Sequence, residues 1–240
     1  MSPPGEVIWN RPERAGRGPA PSLTRDQIAA AAVRLADAEG IDAVSMRRLA
    51  TALGVAASSL YRYVERKDDL LELMADAVMG EVEPAPPGSD WRLAIRTFAT
   101  EMREMIQRHP WAAAVGAGRP SLGPNSLDRA ERLFAAIDAT GLDIDQLLLL
   151  SDTVGAFVRG SAIEALGDEE AWRRSGRSRE QWMEAHRDYI GAVVESGRYP
   201  LLTRIVLDAS SPHDPDRIRT SFELGLERVL DGFAAEIEKR

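Results

Sequence analysis

The sequence predicts an all-α protein made of two helical domains. Apolar residues recur at intervals of three and four through most of the chain, and no stretch alternates apolar and polar residues long enough for a strand. The 240 residues, 44% of them hydrophobic, are ample for a buried core in one large or two small domains. We place the boundaries at 1–22, 23–80 and 81–240.

Residues 1–22 contain five prolines and three of the chain's glycines, a composition that cannot hold a helix. We therefore expect a flexible arm. Arg11, Arg14 and Arg17 in this arm could enter a narrow minor groove, and a tail without function is an equal alternative. Ile8 and Trp9 are unusual in a solvated tail and could pack on the body.

Residues 23–80 carry four helical signals. Thr24 opens a periodic apolar run that ends at Gly40, and Ser45 is a good N-cap for a short helix that ends at Gly54. A third short helix, about 57–64, follows after two residues, and a fourth runs from Arg66 to Gly80. Two short helices joined by a tight turn that contains glycine have helix-turn-helix spacing.

Residues 81–240 are helical by pattern throughout. The predicted segments are 91–108, 126–140, 143–166, 179–196, 201–208 and 215–239. We expect a capping box at Ser178 and Gln181. No cap hydroxyl or acid precedes the third helix, where the residue is Ala56, so this helix lacks about 1 kcal/mol of cap stabilisation.

Charge and composition exclude several functional classes. The absence of cysteine excludes disulfides and thiolate chemistry. The net charge is −8, but residues 1–67 hold ten basic and seven acidic residues, so only this part suits a nucleic acid. Neither a signal peptide nor a membrane span is visible, and we expect a soluble, cytoplasmic protein without metal or cofactor.

An enzyme would need a coherent nucleophile, base or metal set. Ser178, His186 and Asp188 lie near one another in the sequence, but on a predicted polar helix face. No nucleophile elbow, phosphate-binding glycine loop or ligand cluster accompanies them. We therefore expect no catalytic activity.

The motifs of residues 23–79 resemble the DNA-binding domain of tetracycline-repressor (TetR) family regulators. The matching segments are LTRDQI, EGIDAVSMRRLA, LGV and SSLYRYVERKDDLL. The C-terminal half resembles the tetracycline-repressor subclass through SDW (89–91), His109, GRP (118–120), VGAF (154–157) and FELGLE (222–227). The resemblance implies a homodimer that a small effector releases from an operator on double-stranded DNA.

The second helix of a helix-turn-helix lies in the major groove, with its first residues at base edges. Ser58 and Ser59 can bond bases or phosphates there, and plain capping is the alternative. Tyr61 and Tyr63 favour contact with DNA, because Leu60 and Val64 already fill the core spacing. By resemblance, Tyr61 contacts a phosphate, whereas Ala57, Ser58, Ser59 and Tyr63 face bases.

Two basic residues complete the expected DNA contacts. By resemblance, Arg47 reads a guanine, for which the arginine fork is well suited. A solvated role for Arg47 is an equal alternative, since either Arg47 or its neighbour Arg48 could point away from DNA. Lys67, at the start of the fourth helix, matches a phosphate-binding lysine.

Aromatic and methionine residues at helical spacing in the C-terminal half have two interpretations, ordinary core or effector cavity. The resemblance favours a cavity, and methionine accommodates varied ligand shapes. His109 and Asp152 could supply polar contacts, although roles in the core or at the surface are the alternative. The expected effector-binding set is Phe98, Met102, Met105, His109, Trp111, Leu133, Phe134, Ile137, Asp152 and Phe157.

The chain departs from the tetracycline repressor at Phe98 and Leu133, where that protein has polar contacts to the drug, and near Val115 or Gly116, where it has a metal-binding histidine. We therefore expect a small apolar effector and no metal chelate. The segments 143–166 and 215–239 are expected to form a four-helix dimer interface. A DNA-binding regulator or architectural protein without an effector remains the alternative.

Overall fold

The computed structural model describes residues 7–11, 23–116, 121–209 and 216–238, apart from the side chains of residues 179 and 180. Within these ranges the chain forms helices and no strand, which confirms the all-α prediction. The helices are α1 (Arg25–Glu39), α2 (Met46–Leu53), α3 (Ala57–Leu60), α4 (Lys67–Met79), α5 (Trp91–Arg108), α6 (Ala112–Val115), α7 (Pro124–Asp138), α8 (Ile144–Ser175), α9 (Arg179–Glu195), α10 (Pro200–Asp208) and α11 (Arg217–Ile237). Short 3-10 turns occur at Ile8–Asn10 and Ile41–Ala43.

Local signals fix the helix ends in the N-terminal domain. The Thr24 side chain accepts from the Gln27 amide, and the Gln27 side chain accepts from the Thr24 amide, so a capping box starts α1. Ser45 caps α2. Gly54 ends α2 with φ of +67°, a left-handed conformation that glycine adopts without a Cβ clash.

The N-terminal domain packs α1 against α2 and α4. Its largest fully buried side chains include Ile28, Leu49, Leu60 and Leu70. The same hydrophobic cluster continues into Met105, Ile106 and Trp111 and into Ala162 of α8. The two domains therefore share a continuous apolar contact surface rather than a solvated linker.

The C-terminal domain packs α8 against α5 and α11, with α7 covering α5. Ile95, Ile137, Leu150 and Val158 are buried at its centre together with Phe222, Leu226 and Leu230 of α11. Gly225 lies where a Cβ would meet the Phe157 ring at 2.7 Å. Glycine therefore allows α11 to approach α8 closely inside one chain.

Two helices end more than two residues from their predicted positions, and one short helix was not predicted. Helix α3 ends at Leu60 instead of continuing to residue 64, and turns follow to Tyr63. No side chain caps its start, where the N-cap residue is Ala56. Helix α8 continues nine residues beyond 166, through Gly167 and several residues that favour helix, and ends before Gly176 at φ of +61°. The single turn α6 follows Trp111 and was not predicted.

Candidate functional site

The surface that a helix-turn-helix presents to DNA is built from α2, α3 and the start of α4. Leu49 and Leu60 are fully buried in one core cluster, in which α2 packs against α1 and α3 packs against α2. Ala57, Ser59 and Tyr63 are half-buried, whereas Ser58 and Tyr61 are exposed. The buried side chains therefore hold α3 with Ser58 at the surface and Tyr61 exposed just after the helix, whereas Tyr63 packs partly against the core.

The structure distinguishes the two neighbouring arginines of α2. The Arg48 guanidinium pairs with Glu39 at the end of α1, and this contact raises the pKa of Arg48 and lowers that of Glu39. Arg47 is exposed, and no ion pair to it occurs within the described residues. Arg47 is thus the arginine available to a ligand at this surface.

The N-terminus of α4 carries an exposed lysine above a buried carboxylate. Lys67 is exposed, whereas Asp69 is only 4% exposed. Burial alone would raise the pKa of Asp69, but hydrogen bonds from Arg11 and Arg66 outweigh it and hold that pKa below its usual value. Asp69 is therefore an ionised, paired group beneath the expected phosphate contact.

The segment Val7–Arg11 departs from the flexible arm expected for residues 1–22. Ile8 is 1% exposed and belongs to the core of the N-terminal domain. The Arg11 guanidinium lies 2.7 Å from Asp69 Oδ2 and is largely buried. Of the two interpretations left open for Arg11, entry into a minor groove is not the arrangement in this structure, where its guanidinium pairs with Asp69. Arg14 and Arg17 lie outside the described residues.

His109 lies at the junction between the two domains. Its Nδ1 is 2.8 Å from Asp37 Oδ1 on α1, and its Nε2 is 3.0 Å from Glu81 Oε2, just beyond α4. Trp111 Nε1 also donates to Asp37 Oδ1, at 2.7 Å. The histidine thus joins the end of α5 to α1 and to Glu81 just beyond α4, and each of its ring nitrogens has a carboxylate partner.

A second junction links α4 to α7. Asp76, 3% exposed, accepts from the Ser126 amide at 2.8 Å and from the Ser126 hydroxyl at 2.9 Å. Glu72, one turn earlier, accepts from the Leu122 amide at 3.0 Å. Since the N-cap residue of α7 is Gly123, which has no side chain to cap with, Asp76 supplies the missing acceptor from α4.

A cavity of about 810 Å³ lies between the α4–α5 connection, the first half of α5, and α7. Its walls are mostly apolar, with Trp91 and Phe98 from α5 facing Leu133 and small alanines of α7. The prolines Pro84, Pro86 and Pro87 form another wall, and Ile237 of α11 also lines the cavity. Glu83, Asp90, Arg129 and Arg132 supply its charged groups. This volume and lining suit a drug-sized, largely apolar molecule.

Only two of the ten expected effector contacts, Phe98 and Leu133, line this cavity. Met102, Phe134 and Phe157 are half-buried and pack in the core beside it, and Ile137 is fully buried there. Met105 and Trp111 are buried in the cluster shared with the N-terminal domain. His109 lies at the domain junction, and Asp152 is exposed on α8, so neither reaches the cavity wall.

The residues that sequence reasoning missed at these junctions are Asp37, Glu72, Asp76 and Glu81. Their partners lie far away in the chain, so no local spacing identifies them. Among the described residues, no group of histidines and carboxylates is placed to hold a metal. None of the described helices combines the length and the apolar character that a membrane crossing requires.

Two family models match the chain. Residues 28–74 match the bacterial regulatory proteins of the tetR family, and residues 83–237 match the tetracyclin repressor-like C-terminal domain. The HTH-type transcriptional repressor DrrR1 of Streptomyces coeruleorubidus is 38% identical over 237 residues, which cover 98% of this chain and 86% of DrrR1.

Solved structures agree with these matches. Apo ActR from Streptomyces coelicolor is similar with a TM-score of 0.73 and 30% identity, covering 92% of this chain and 99% of ActR. ActR in complex with actinorhodin is similar with a TM-score of 0.70 and 31% identity, covering 91% and 99%. The chain therefore belongs to the TetR family of transcriptional regulators, is not an enzyme, and has a C-terminal domain like that of the tetracycline repressor.

Proposed function

We propose that the protein is a ligand-responsive repressor that binds a palindromic operator as a homodimer and is released by a small apolar effector. The observation that carries this proposal is one helix, α4, whose start bears Lys67 at the helix-turn-helix surface. The remainder of α4 is fastened by Glu72 and Asp76 to the helix that walls the cavity. On this basis, residues 23–80 bind DNA, residues 81–240 bind effector and partner, and the protein acts in the cytoplasm with the DNA.

For the DNA-bound state we propose that Arg47 reads a guanine and Lys67 holds a phosphate. Ala57, Ser58, Ser59 and Tyr63 face bases, and Tyr61 contacts a phosphate. The exposure of Arg47, Ser58, Tyr61 and Lys67 supports these roles. Arg48 is assigned no base, since its guanidinium already pairs with Glu39.

The experiment for operator binding uses the duplex that the wild-type protein enriches from a randomised pool. Arg47→Ala should lose about 1–3 kcal/mol of preference at one base pair. Arg48→Ala is the matched control on the same helix and should keep that preference. Lys67→Ala should weaken all sequences alike and reduce the salt dependence by about one unit of slope. Unchanged affinity in both Arg47→Ala and Lys67→Ala would overturn these assignments.

We place the effector in the cavity against Phe98 and Leu133. Apolar walls and a volume of about 810 Å³ support a largely apolar molecule. The complex of ActR with actinorhodin supports ligand binding as a property of this kind of chain. Actinorhodin is therefore the first compound to test, followed by apolar compounds of other shapes, with melting temperature as the readout.

Release by ligand has a thermodynamic signature. A compound that lowers operator affinity about 100-fold must provide about 2.7 kcal/mol of coupling, and operator must weaken that compound's binding by the same factor. Calorimetric titration with and without operator measures this factor. Equal ligand affinity in both titrations would overturn the release mechanism and would show that operator binding does not depend on this compound.

The dimer is proposed to form through 143–166 and 215–239, which contain most of α8 and α11. Large apolar side chains are exposed there, namely Leu148, Leu149 and Ile163 of α8 and Leu224 of α11. The α11 stripe of Phe222, Leu226 and Leu230 is buried inside the chain, so the opposite faces remain for a partner. Light scattering at micromolar concentration that gave the 26.3 kDa monomer would refute the dimer.

A further inference from the structure

The segment Val7–Arg11 is attached to α1 through its backbone and to the protein core through Ile8. Arg25 at the start of α1 donates from Nη1 to the carbonyl oxygens of Ile8, at 3.1 Å, and Arg11, at 2.9 Å. The Ile8 side chain is buried in the core that α1 shares with α4. The backbone of this segment is thus held by α1, and the Ile8 side chain is buried in a core to which both α1 and α4 contribute.

The polar side chains of the same segment reach α4 at two positions. The Arg11 guanidinium contacts Asp69 Oδ2 at 2.7 Å and Glu65 Oε2 at 3.5 Å. Trp9 Nε1 donates to Glu72 Oε1 at 3.2 Å, almost one turn further along α4. The segment therefore spans the first turn of α4, beginning beside Lys67.

The Glu72 oxygen that accepts from Trp9 is shared with the C-terminal domain. It also accepts from the Ser121 hydroxyl at 3.2 Å and from the Leu122 amide at 3.0 Å. These two residues lead into α7, the helix that walls the cavity. One carboxylate therefore joins α4, the N-terminal segment and the approach to α7.

We propose that Val7–Arg11 is a clasp that locks α4 to α1, with Trp9 and Arg11 as positioning residues for the spacing of the two DNA-binding domains. This inference rests on the proposed dimeric repressor, because a spacing exists only between two subunits. When α4 is shifted from the cavity side, the clasp makes α1, α2 and α3 move with it as one body. A loosened clasp lets α4 move alone, so the DNA-binding domains adopt a range of positions.

The test uses the full-length protein and benefits from the absence of cysteine in the chain. Ala52→Cys on the exposed side of α2 carries a spin label, and pulsed dipolar spectroscopy gives the distance distribution between the two subunits. The variants are Trp9→Phe, which keeps a ring but removes the donor, Arg11→Gln, and both together. Val7→Ala, in the same segment and 45% exposed, is the matched control.

We expect the double variant to broaden the distance distribution about twofold and to weaken operator binding about three- to tenfold, because apparent affinity scales with the fraction of molecules at the correct spacing. Arg11→Lys, which can still pair with Asp69, should restore most of the wild-type width. Hydrogen exchange should accelerate in the first turn of α4 and leave α8 unchanged. The last readout needs neither dimer nor operator, so it separates failure of the clasp from failure of the proposed function.

The proposal is overturned if the double variant keeps the wild-type distance distribution and α4 exchange rates. It is also overturned if Val7→Ala broadens the distribution equally, since the effect would then not arise from the bonds of Trp9 and Arg11. A general loss of structure would appear as faster exchange in α8 as well. That outcome would assign Val7–Arg11 a role in stability alone and would likewise contradict the proposal.

Discussion

Gly123 lies so close to Asp76 that a Cβ on Gly123 would overlap the Asp76 carboxylate. The glycine precedes α7, and the carboxylate belongs to α4, so the contact brings an acceptor from one helix to the first amides of another. A helix N-terminus is a favourable place for a negative charge. The absence of a side chain at residue 123 is what allows α4 to cap α7.

We expect Gly123→Ala to lower the free energy of unfolding by about 2–4 kcal/mol, because the new methyl group displaces a buried carboxylate that accepts several hydrogen bonds. Chemical denaturation at fixed protein concentration measures the change. Gly167→Ala is the control, since a Cβ there meets nothing within 4 Å and alanine favours the helix. A loss below 0.5 kcal/mol, within the usual range for surface changes, would show that α4 does not cap α7 through this contact.

His109 should act on stability through the junction between the domains. Its replacement by alanine leaves Asp37 and Glu81 without the donor between them, and we expect a loss of about 1–3 kcal/mol in the free energy of unfolding. Asp152 is the other polar residue of the expected effector set. Asp152→Ala should change the free energy of unfolding by less than about 0.5 kcal/mol because Asp152 is exposed. Equal effects of the two substitutions would contradict the junction role of His109.

These junctions show which features a sequence can predict. The bounds 91–108 of α5, the start of α1 after Thr24 and the capping box at Ser178 follow from residues a few positions apart, and the structure has them where the pattern puts them. His109, which follows the predicted segment 91–108, was included in the effector set from the resemblance, with a role in the core or at the surface as the alternative. Its partners on α1 and beyond α4 depend on tertiary packing, which periodicity does not encode.

Dependence on tertiary packing also explains why the sequence did not predict the packing of Val7–Arg11 or the lining of the cavity. Proline and glycine content predicts an arm, but the burial of Ile8 depends on a surface formed by α1 and α4 together. The stripe that includes Phe98, Met102 and Phe134 predicts an apolar interior without distinguishing lining from packing. The proline-rich connection at 84–87, which walls the cavity, carries no periodic signal at all.

Acid should weaken the contact between α5 and α11. Hydrogen bonds from Arg96 and Arg92 outweigh the effect of burial and lower the pKa of Glu227 from 4.5 to about 2. A lowered folded-state pKa means that the carboxylate stabilises the fold fully above about pH 4.5, and that this stabilisation is lost as the pH falls toward 2.

The measurement compares the unfolding free energy of wild type and Glu227→Gln from neutral to acidic pH. We expect wild type to be more stable at neutral pH by less than about 1 kcal/mol, since the pairs are partly exposed to solvent. The difference should shrink below pH 4.5. Glu223→Gln, on the same helix, removes a carboxylate whose partner among the described residues is the exposed Arg219, and it should show a smaller pH-dependent difference. A difference that grows on acidification would have the wrong sign for a lowered pKa.

Filling the cavity should separate ligand binding from DNA binding. Ala136 of α7 lines the cavity wall, and the space beyond it has a volume of about 810 Å³. Ala136→Trp places an indole in that space and leaves the residues of the helix-turn-helix surface unchanged. The test compound is one that raises the melting temperature of wild type, and actinorhodin is the first to try. Its affinity for this variant should fall at least about tenfold, a change of about 1.4 kcal/mol. Operator affinity without ligand should stay within about threefold of wild type when the indole fills the cavity without shifting α4, and a larger loss would show that filling the cavity is by itself enough to release the operator. Glu131→Trp is the control, because Glu131 is exposed on the same helix and lies outside the cavity lining, and this variant should retain ligand affinity.

If Ala136→Trp binds the compound as well as wild type does, the effector site lies in another part of the C-terminal domain. If Glu131→Trp loses affinity to the same extent, α7 does not tolerate an indole, and the loss in Ala136→Trp arises from disturbed packing.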